Sequence, residues 1–149
     1  LEGVHRTYFP NGTLFSLIPL TQSLTDGEVK FYFKTNALSK TKTYVMGNLE
    51  GPWKDYYESG ELKKEGRHRN HTKNGIEREY YKSGALKSEI SIVLNKINGI
   101  AKSYYENGAL RSSVPFKHGL LEGQAKLFFP NGSLKRIDNF KGGKLVGGT

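Results

Sequence analysis

Residues 102–110 read "KSYYENGAL", and the same phrase returns at a fixed distance on both sides. It stands as "RTYFPNGTL" at 6–14, "KFYFKTNAL" at 30–38, "KDYYESGEL" at 54–62, "REYYKSGAL" at 78–86 and "KLFFPNGSL" at 126–134. The spacing is 24 residues throughout, with no insertion or deletion. An opening glycine marks each copy: Gly3, Gly27, Gly51, Gly75, Gly99 and Gly123, with Gly147 beginning a seventh. Leu14, Leu38, Leu62, Leu86, Leu110 and Leu134 recur at the same interval, as does a pair of aromatic residues such as Tyr56-Tyr57.

A strict period of this length means that each unit packs mainly on its neighbours, as in a solenoid or array. Within the unit, a short aromatic run leads into a loop such as "ENG" and a second run leads away from it. That is the pattern of a β-hairpin whose loop needs one residue in the left-handed region, a place for Gly or, second best, Asn. Asn36 stands in that column in place of Gly. A second turn column holds Gly47, Asn95, Gly119 and Gly143 beside Ser23 and His71. Two turns per copy give two strands per copy, and twelve strands in all. The expected fold is all-β: a solenoid of six β-hairpin repeats forming an elongated, twisted antiparallel sheet. One repeat domain covers 1–149, with copies at about 3–26, 27–50, 51–74, 75–98, 99–122 and 123–146 and a truncated seventh at 147–149. A further column, Leu20, Tyr44, Ile92, Phe116 and Phe140 with His68, is expected to stack with the aromatics and the recurring Leu into one thin core.

Composition agrees with a turn-rich fold. Only 36% of the 149 residues are hydrophobic and 18 are Gly, yet 9 Tyr and 8 Phe set the chain apart from a disordered tail. Cys is absent, which excludes disulfides, thiol catalysis and Cys-based zinc sites. No apolar run is long enough for a transmembrane helix, and "LEGVHRTYFP" has no signal-peptide core, so the compartment stays open. Lys plus Arg number 23 against 14 Asp plus Glu, a net charge of +9 that favours acidic partners.

The unit G-x-x-K-x-Y-Y-x-x-G-x-L resembles the variant MORN repeat of the YwqK family of predicted bacterial antitoxins, and does so over essentially the whole chain. The resemblance implies hairpin-stacked sheets, contact with other macromolecules, and neutralisation of a toxin by binding.

Because the recurring columns serve folding, function is sought in charge ladders and in departures. Three residues after each opening glycine stands a cation: Arg6, Lys30, Lys54, Arg78, Lys102 and Lys126. Alternation puts it on the face of the first aromatic, two residues on. Lys54, Tyr56, Arg78, Tyr80, Lys102, Tyr104 and Lys126 are therefore candidate partner-binding residues. The plain alternative is that these long side chains lie along the rings and only cover the sheet. The sole Trp, Trp53, joins the candidates because Trp is frequent at binding hot spots; its alternative role is to fill volume. His68 and His71 lack the further convergent ligands that a metal site needs. No nucleophile, base and orienting group can be assembled by spacing, so neither catalysis nor a cofactor is expected. The expected function is a non-catalytic binding module for a protein with an acidic surface. Attachment to anionic lipid or nucleic acid and a role as a structural spacer are the alternatives, and end-to-end self-association through exposed strand edges is a further expectation.

Overall fold

The structure is a computed structural model and describes residues 2–149. Among the described residues there is no helix, and all regular structure is β. The chain divides into two compact units, the first ending at Thr72 and the second beginning at Lys73.

The first unit holds β1 (Gly3–Tyr8), β2 (Leu14–Thr21), β3 (Leu24–Thr25), β4 (Gly27–Tyr32), β5 (Leu38–Val45), β6 (Asn48–Tyr56) and β7 (Leu62–Arg69). The two-residue β8 (Thr72–Lys73) lies at the boundary. Pairing is antiparallel and follows the chain: β1 with β2, β2 with β3 and β4, β4 with β5, β5 with β6, and β6 with β7. The second unit holds β9 (Gly75–Tyr80), β10 (Leu86–Val93), β11 (Lys96–Ile97), β12 (Gly99–Tyr104), β13 (Leu110–Lys117), β14 (Leu120–Leu121), β15 (Gly123–Phe128), β16 (Leu134–Lys141) and β17 (Lys144–Gly148). It repeats the scheme, from β9 with β10 through to β16 with β17. The repeated hairpins are those the period predicts.

Each copy turns twice, by two different means. At the first turn Gly108 donates to the Tyr105 carbonyl at 2.9 Å and Tyr105 donates to the Ala109 carbonyl at 2.9 Å. This is a three-residue loop closed by a left-handed residue, with φ of 88° at Gly108 and 71° at Asn36. At the second turn two successive residues are left-handed, the type I′ pattern whose twist matches that of the strands. Met46 and Gly47 have φ of 46° and 85°, and Leu94 and Asn95 have 49° and 65°. The sequence announces only the second residue of each such pair. The first is Gln22, Met46, Asn70, Leu94, His118 or Gly142, and of these Gln22, Met46 and Leu94 are poor residues for a positive φ.

The opening glycines are not turn residues. Gly27 has a φ of 113°, outside the range of ordinary L-residues, and a Cβ there would lie 3.2 Å from Pro19 Cγ. Here the chain kinks between a short pairing segment and the longer strand that follows. Four of the twelve expected strands are thereby split in two, β6 runs unbroken through Gly51, and β17 adds the seventeenth strand.

Register decides what each face carries. In β4, Lys30 and Tyr32 alternate with Val29 and Phe31. Tyr32 lies opposite Leu38, so the first aromatic and the recurring Leu share the cation's face. Tyr44, opposite Gly27 and Leu49, lies on the other face with Val29. The single stacked core expected from the columns is thus two thin layers, one per face, because period-two alternation separates them. Few side chains are deeply buried: Val29, Trp53, Ile92 and Ala125 among hydrophobic residues, with Ser16, Thr41 and Glu77 among polar ones.

Leu94→Asn tests the second turn, since Leu94 is largely exposed and left-handed. We expect a gain of about 0.5–1 kcal/mol, read as a rise in melting temperature of about 1–4 °C, because Asn tolerates this conformation better than Leu. An unchanged or lower melting temperature would mean that the Leu94 side chain holds the turn.

Candidate functional site

In the second unit the register builds a row across the strands: Arg78, Glu89, Lys102, Ser113, Lys126 and Ile137 lie opposite one another in that order. Cations two strands apart are separated by about 9.6 Å at ordinary strand spacing. Alternation within β9, β12 and β15 puts Tyr80, Tyr104 and Phe128 on the same face, beside Arg78, Lys102 and Lys126. The three cations are not equivalent. Arg78 Nε donates to Glu89 Oε2 at 2.8 Å, so its charge is engaged within the sheet. Lys102 and Lys126 are exposed, and the residue between them is Ser113.

The first unit contains the corresponding row Arg6, Leu17, Lys30, Thr41, Lys54 and Glu65. Lys54 and Tyr56 share a face there, but Lys54 stands directly opposite Glu65. Lys30 Nζ lies 3.8 Å from Glu28 Oε1.

Trp53 departs from its expected role as an exposed anchor. Alternation in β6 places it on the face opposite Lys54 and Tyr56, where it is 5% exposed. It lies opposite Gly66 in the register, and its ring lies over that residue: a Cβ added to Gly66 would meet Trp53 Cζ2 at 2.7 Å. The same cross-strand position pairs Val29 with Lys42, Ala101 with Val114 and Ala125 with Asp138. One copy has therefore exchanged a modest pair for a very large and a very small residue, which is packing chemistry. His68, two residues on in β7, has its ring centroid 6.1 Å from that of Trp53. His71 sits in a left-handed turn position, its Nε2 3.0 Å from Asn48 Oδ1.

A second basic ladder went unremarked in the sequence. Every first hairpin contains a bulge, and the extra residue is the one after the recurring Leu: Phe15, Ser39, Lys63, Lys87, Arg111 or Lys135. In four copies this residue lies over the second aromatic. Lys63 Nζ is 5.6 Å from the Tyr57 ring centroid, Lys87 Nζ 5.6 Å from Tyr81, Arg111 Cζ 5.7 Å from Tyr105 and Lys135 Nζ 5.6 Å from Phe129. Such a contact at an exposed site contributes about 0.5–1 kcal/mol. Reading the column after Leu would have found it, since four of its six members are cations.

The Trp53 and Gly66 pairing is testable by exchange. Gly66→Val should lower stability by about 1–3 kcal/mol through overpacking. Adding Trp53→Ala, which recreates the Ala101 and Val114 pair, should recover most of that loss in denaturant melts. A double variant no more stable than Gly66→Val would show that the two residues do not share one packing site.

The sequence model of the MORN repeat variant family matches residues 1–20, 49–70, 73–93, 97–118 and 121–141. No curated protein matches the chain. The matched segments cover most of the sequence and carry most of the glycines, aromatic pairs and leucines on which the hairpins depend; 21–48 is the longest stretch left outside. On that match, and on hairpins of the same period, the chain belongs to the MORN repeat variant family.

Proposed function

We propose that this protein is a non-catalytic binding module that docks an acidic surface of another protein through its basic face. Repeats of the family commonly serve as binding or scaffolding modules and contact proteins or membrane lipids. The observation that carries the reading is the pair Lys102 and Lys126, exposed one copy apart on the face that also presents Tyr104 and Phe128. Cations at that spacing supply steering, and the rings beside them supply surface that gains from losing water. Lys54 and Arg78 stand opposite carboxylates and support the face more weakly.

In its most specific form this is an immunity-type role, in which a toxin is neutralised by being covered. A net charge of +9 requires that such a toxin present an acidic patch. The same cations support a second reading, attachment to anionic lipid or nucleic acid, which differs in its steep loss of affinity with salt.

Lys102→Glu with Lys126→Glu separates these readings in affinity capture from cell lysate at low and high salt. The expected result is one stoichiometric protein kept at high salt by the native chain and lost by the variant. The variant's melting temperature should stay within about 2 °C, since both side chains are exposed. Retention of that protein by the variant, or recovery only of nucleic acid or lipid released by salt, would overturn the proposal.

A further inference from the structure

Hairpin chemistry changes across the first two copies, partly in the matched segment 1–20 and partly in the unmatched 21–48. Phe15 occupies the bulge position that holds Lys63, Lys87, Arg111 and Lys135 in later copies. Phe31 replaces the small or polar residue found at Thr7, Asp55, Glu79 and Ser103. Lys42 stands where Ile18, Ile90 and Val114 stand elsewhere. Both columns vary elsewhere too, with Leu127 in that of Phe31 and Gly66 and Asp138 in that of Lys42, while Phe9 and Phe33 keep the usual aromatic.

Phe15, Phe31 and Lys42 border a cleft of about 530 Å³, to which Phe31, Lys40 and Lys42 come from the face opposite Lys30. Phe9, Phe15 and Phe31 form its wall. The Phe9 and Phe15 centroids are 5.0 Å apart at 67°, and those of Phe15 and Phe31 are 5.8 Å apart at 63°, both edge to face. Phe15 remains 40% exposed, although its ring contacts two others. Tyr32, Phe33 and Ser39 also line it, and its basic side is formed by Lys34, Lys40 and Lys42. Lys34 Nζ lies 5.9 Å from the Phe9 centroid, and Lys40 stands opposite Phe31 in the register. Asp55 faces Lys40 across the strands but does not line the cleft, and no other carboxylate does.

We infer that this cleft is a binding site for an organic anion built on an aromatic body: an aryl carboxylate, sulfonate or phosphate. Its volume is within the range of small-molecule sites, about 300–1,000 Å³, and suits about two fused rings. A flat ring gains edge-to-face contact with the three phenylalanines. An attached anion meets a lining with three lysines and no carboxylate, Asp55 standing opposite Lys40 but outside it. An inorganic anion would leave the aromatic wall wet, and a neutral arene would leave the lysines unused. The site lies within the first unit and shares no residue with Lys102, Tyr104, Lys126 and Phe128, so it stands independently of the proposed protein docking.

The probe is 8-anilinonaphthalene-1-sulfonate, with uncharged N-phenyl-1-naphthylamine as its comparison, titrated by fluorescence against the full chain. One sulfonate probe should bind per chain, at least about tenfold more tightly than the neutral analogue. Phe15→Lys restores the residue type of later copies, so it should keep the fold while weakening the sulfonate probe at least about tenfold. Lys34→Gln with Lys42→Gln should weaken the sulfonate by a similar factor and leave the neutral analogue unchanged. Lys102→Glu with Lys126→Glu should leave both alone. Unchanged far-ultraviolet circular dichroism and melting temperature separate a site from a loosened state, which also binds such dyes. Several equal sites per chain, equal affinity for the two probes, or indifference to both cleft variants would overturn the inference.

Discussion

Copies are held together by backbone hydrogen bonds that only a left-handed turn can make. In the first unit the Gly47 amide donates to the Thr25 carbonyl at 2.7 Å and the His71 amide to Leu49 at 3.0 Å. In the second, Asn95, Gly119 and Gly143 donate to Lys73, Ile97 and Leu121 at 3.0, 2.8 and 2.9 Å. Each bond joins one copy's second turn to the short pairing segment before it. A sheet with so few buried side chains has little hydrophobic driving force to fix its register, so these bonds must do much of that work. A side-chain acceptor reinforces them. The amides of Met46 and His118 reach Asp26 Oδ1 and Asn98 Oδ1 at 3.1 Å, and that of Gly142 reaches Glu122 Oε2 at 2.6 Å. The residue before each opening glycine thus secures the turn that follows it.

Once the turns set the register, the distribution of charge follows. One basic column lies within regular strands and inherits its face from alternation; the other lies at bulges, where the extra residue is turned onto the aromatic of its own hairpin. The first can lose its cations to carboxylates opposite, as Arg78 does to Glu89. The second spends its charge on rings. A net charge of +9 therefore overstates what the surface offers a partner, and the cations that remain available are the few, such as Lys102 and Lys126, with no acid opposite them or with one shared. Tyr81 and Tyr105 show the same thrift in their hydroxyls, which donate to the Tyr104 and Phe128 carbonyls of the next copy at 2.7 and 2.8 Å.

The fold was legible because a period is a global signal: one glycine repeated at a fixed interval fixes hairpin length, strand count and neighbour at once. What escaped was local. Leu94 and Met46 carry no mark of left-handed geometry, so the type I′ turn could be read only from its second residue. The bulge after Leu86 or Leu110 leaves no trace in composition, and without it Lys87 and Arg111 look like ordinary strand residues. For Trp53 the choice between a binding role and filling volume was hidden for a different reason. Its face follows from alternation, but its burial depends on Gly66, across the strands, a residue that draws attention only when the columns are compared pair by pair.

Repetition turns this chain into its own set of reference structures, because each column states what the hairpin needs and each exception states what it tolerates. An exception matched across the strands, as Gly66 matches Trp53, keeps the volume of the pair and changes nothing outside it. An exception left unmatched must appear at the surface. Phe15 replaces a cation whose task was to cover an aromatic ring; being an aromatic itself, it covers Phe9 and then presents its own uncovered edge. Phe31 answers that edge, but Lys34, Lys40 and Lys42 do not fill the space beside it. Phe9 and Phe33 belong to the aromatic column that every hairpin needs, but no other copy has a phenylalanine where Phe15 or Phe31 stands, so folding alone does not account for those two rings beside Lys34, Lys40 and Lys42 at one opening.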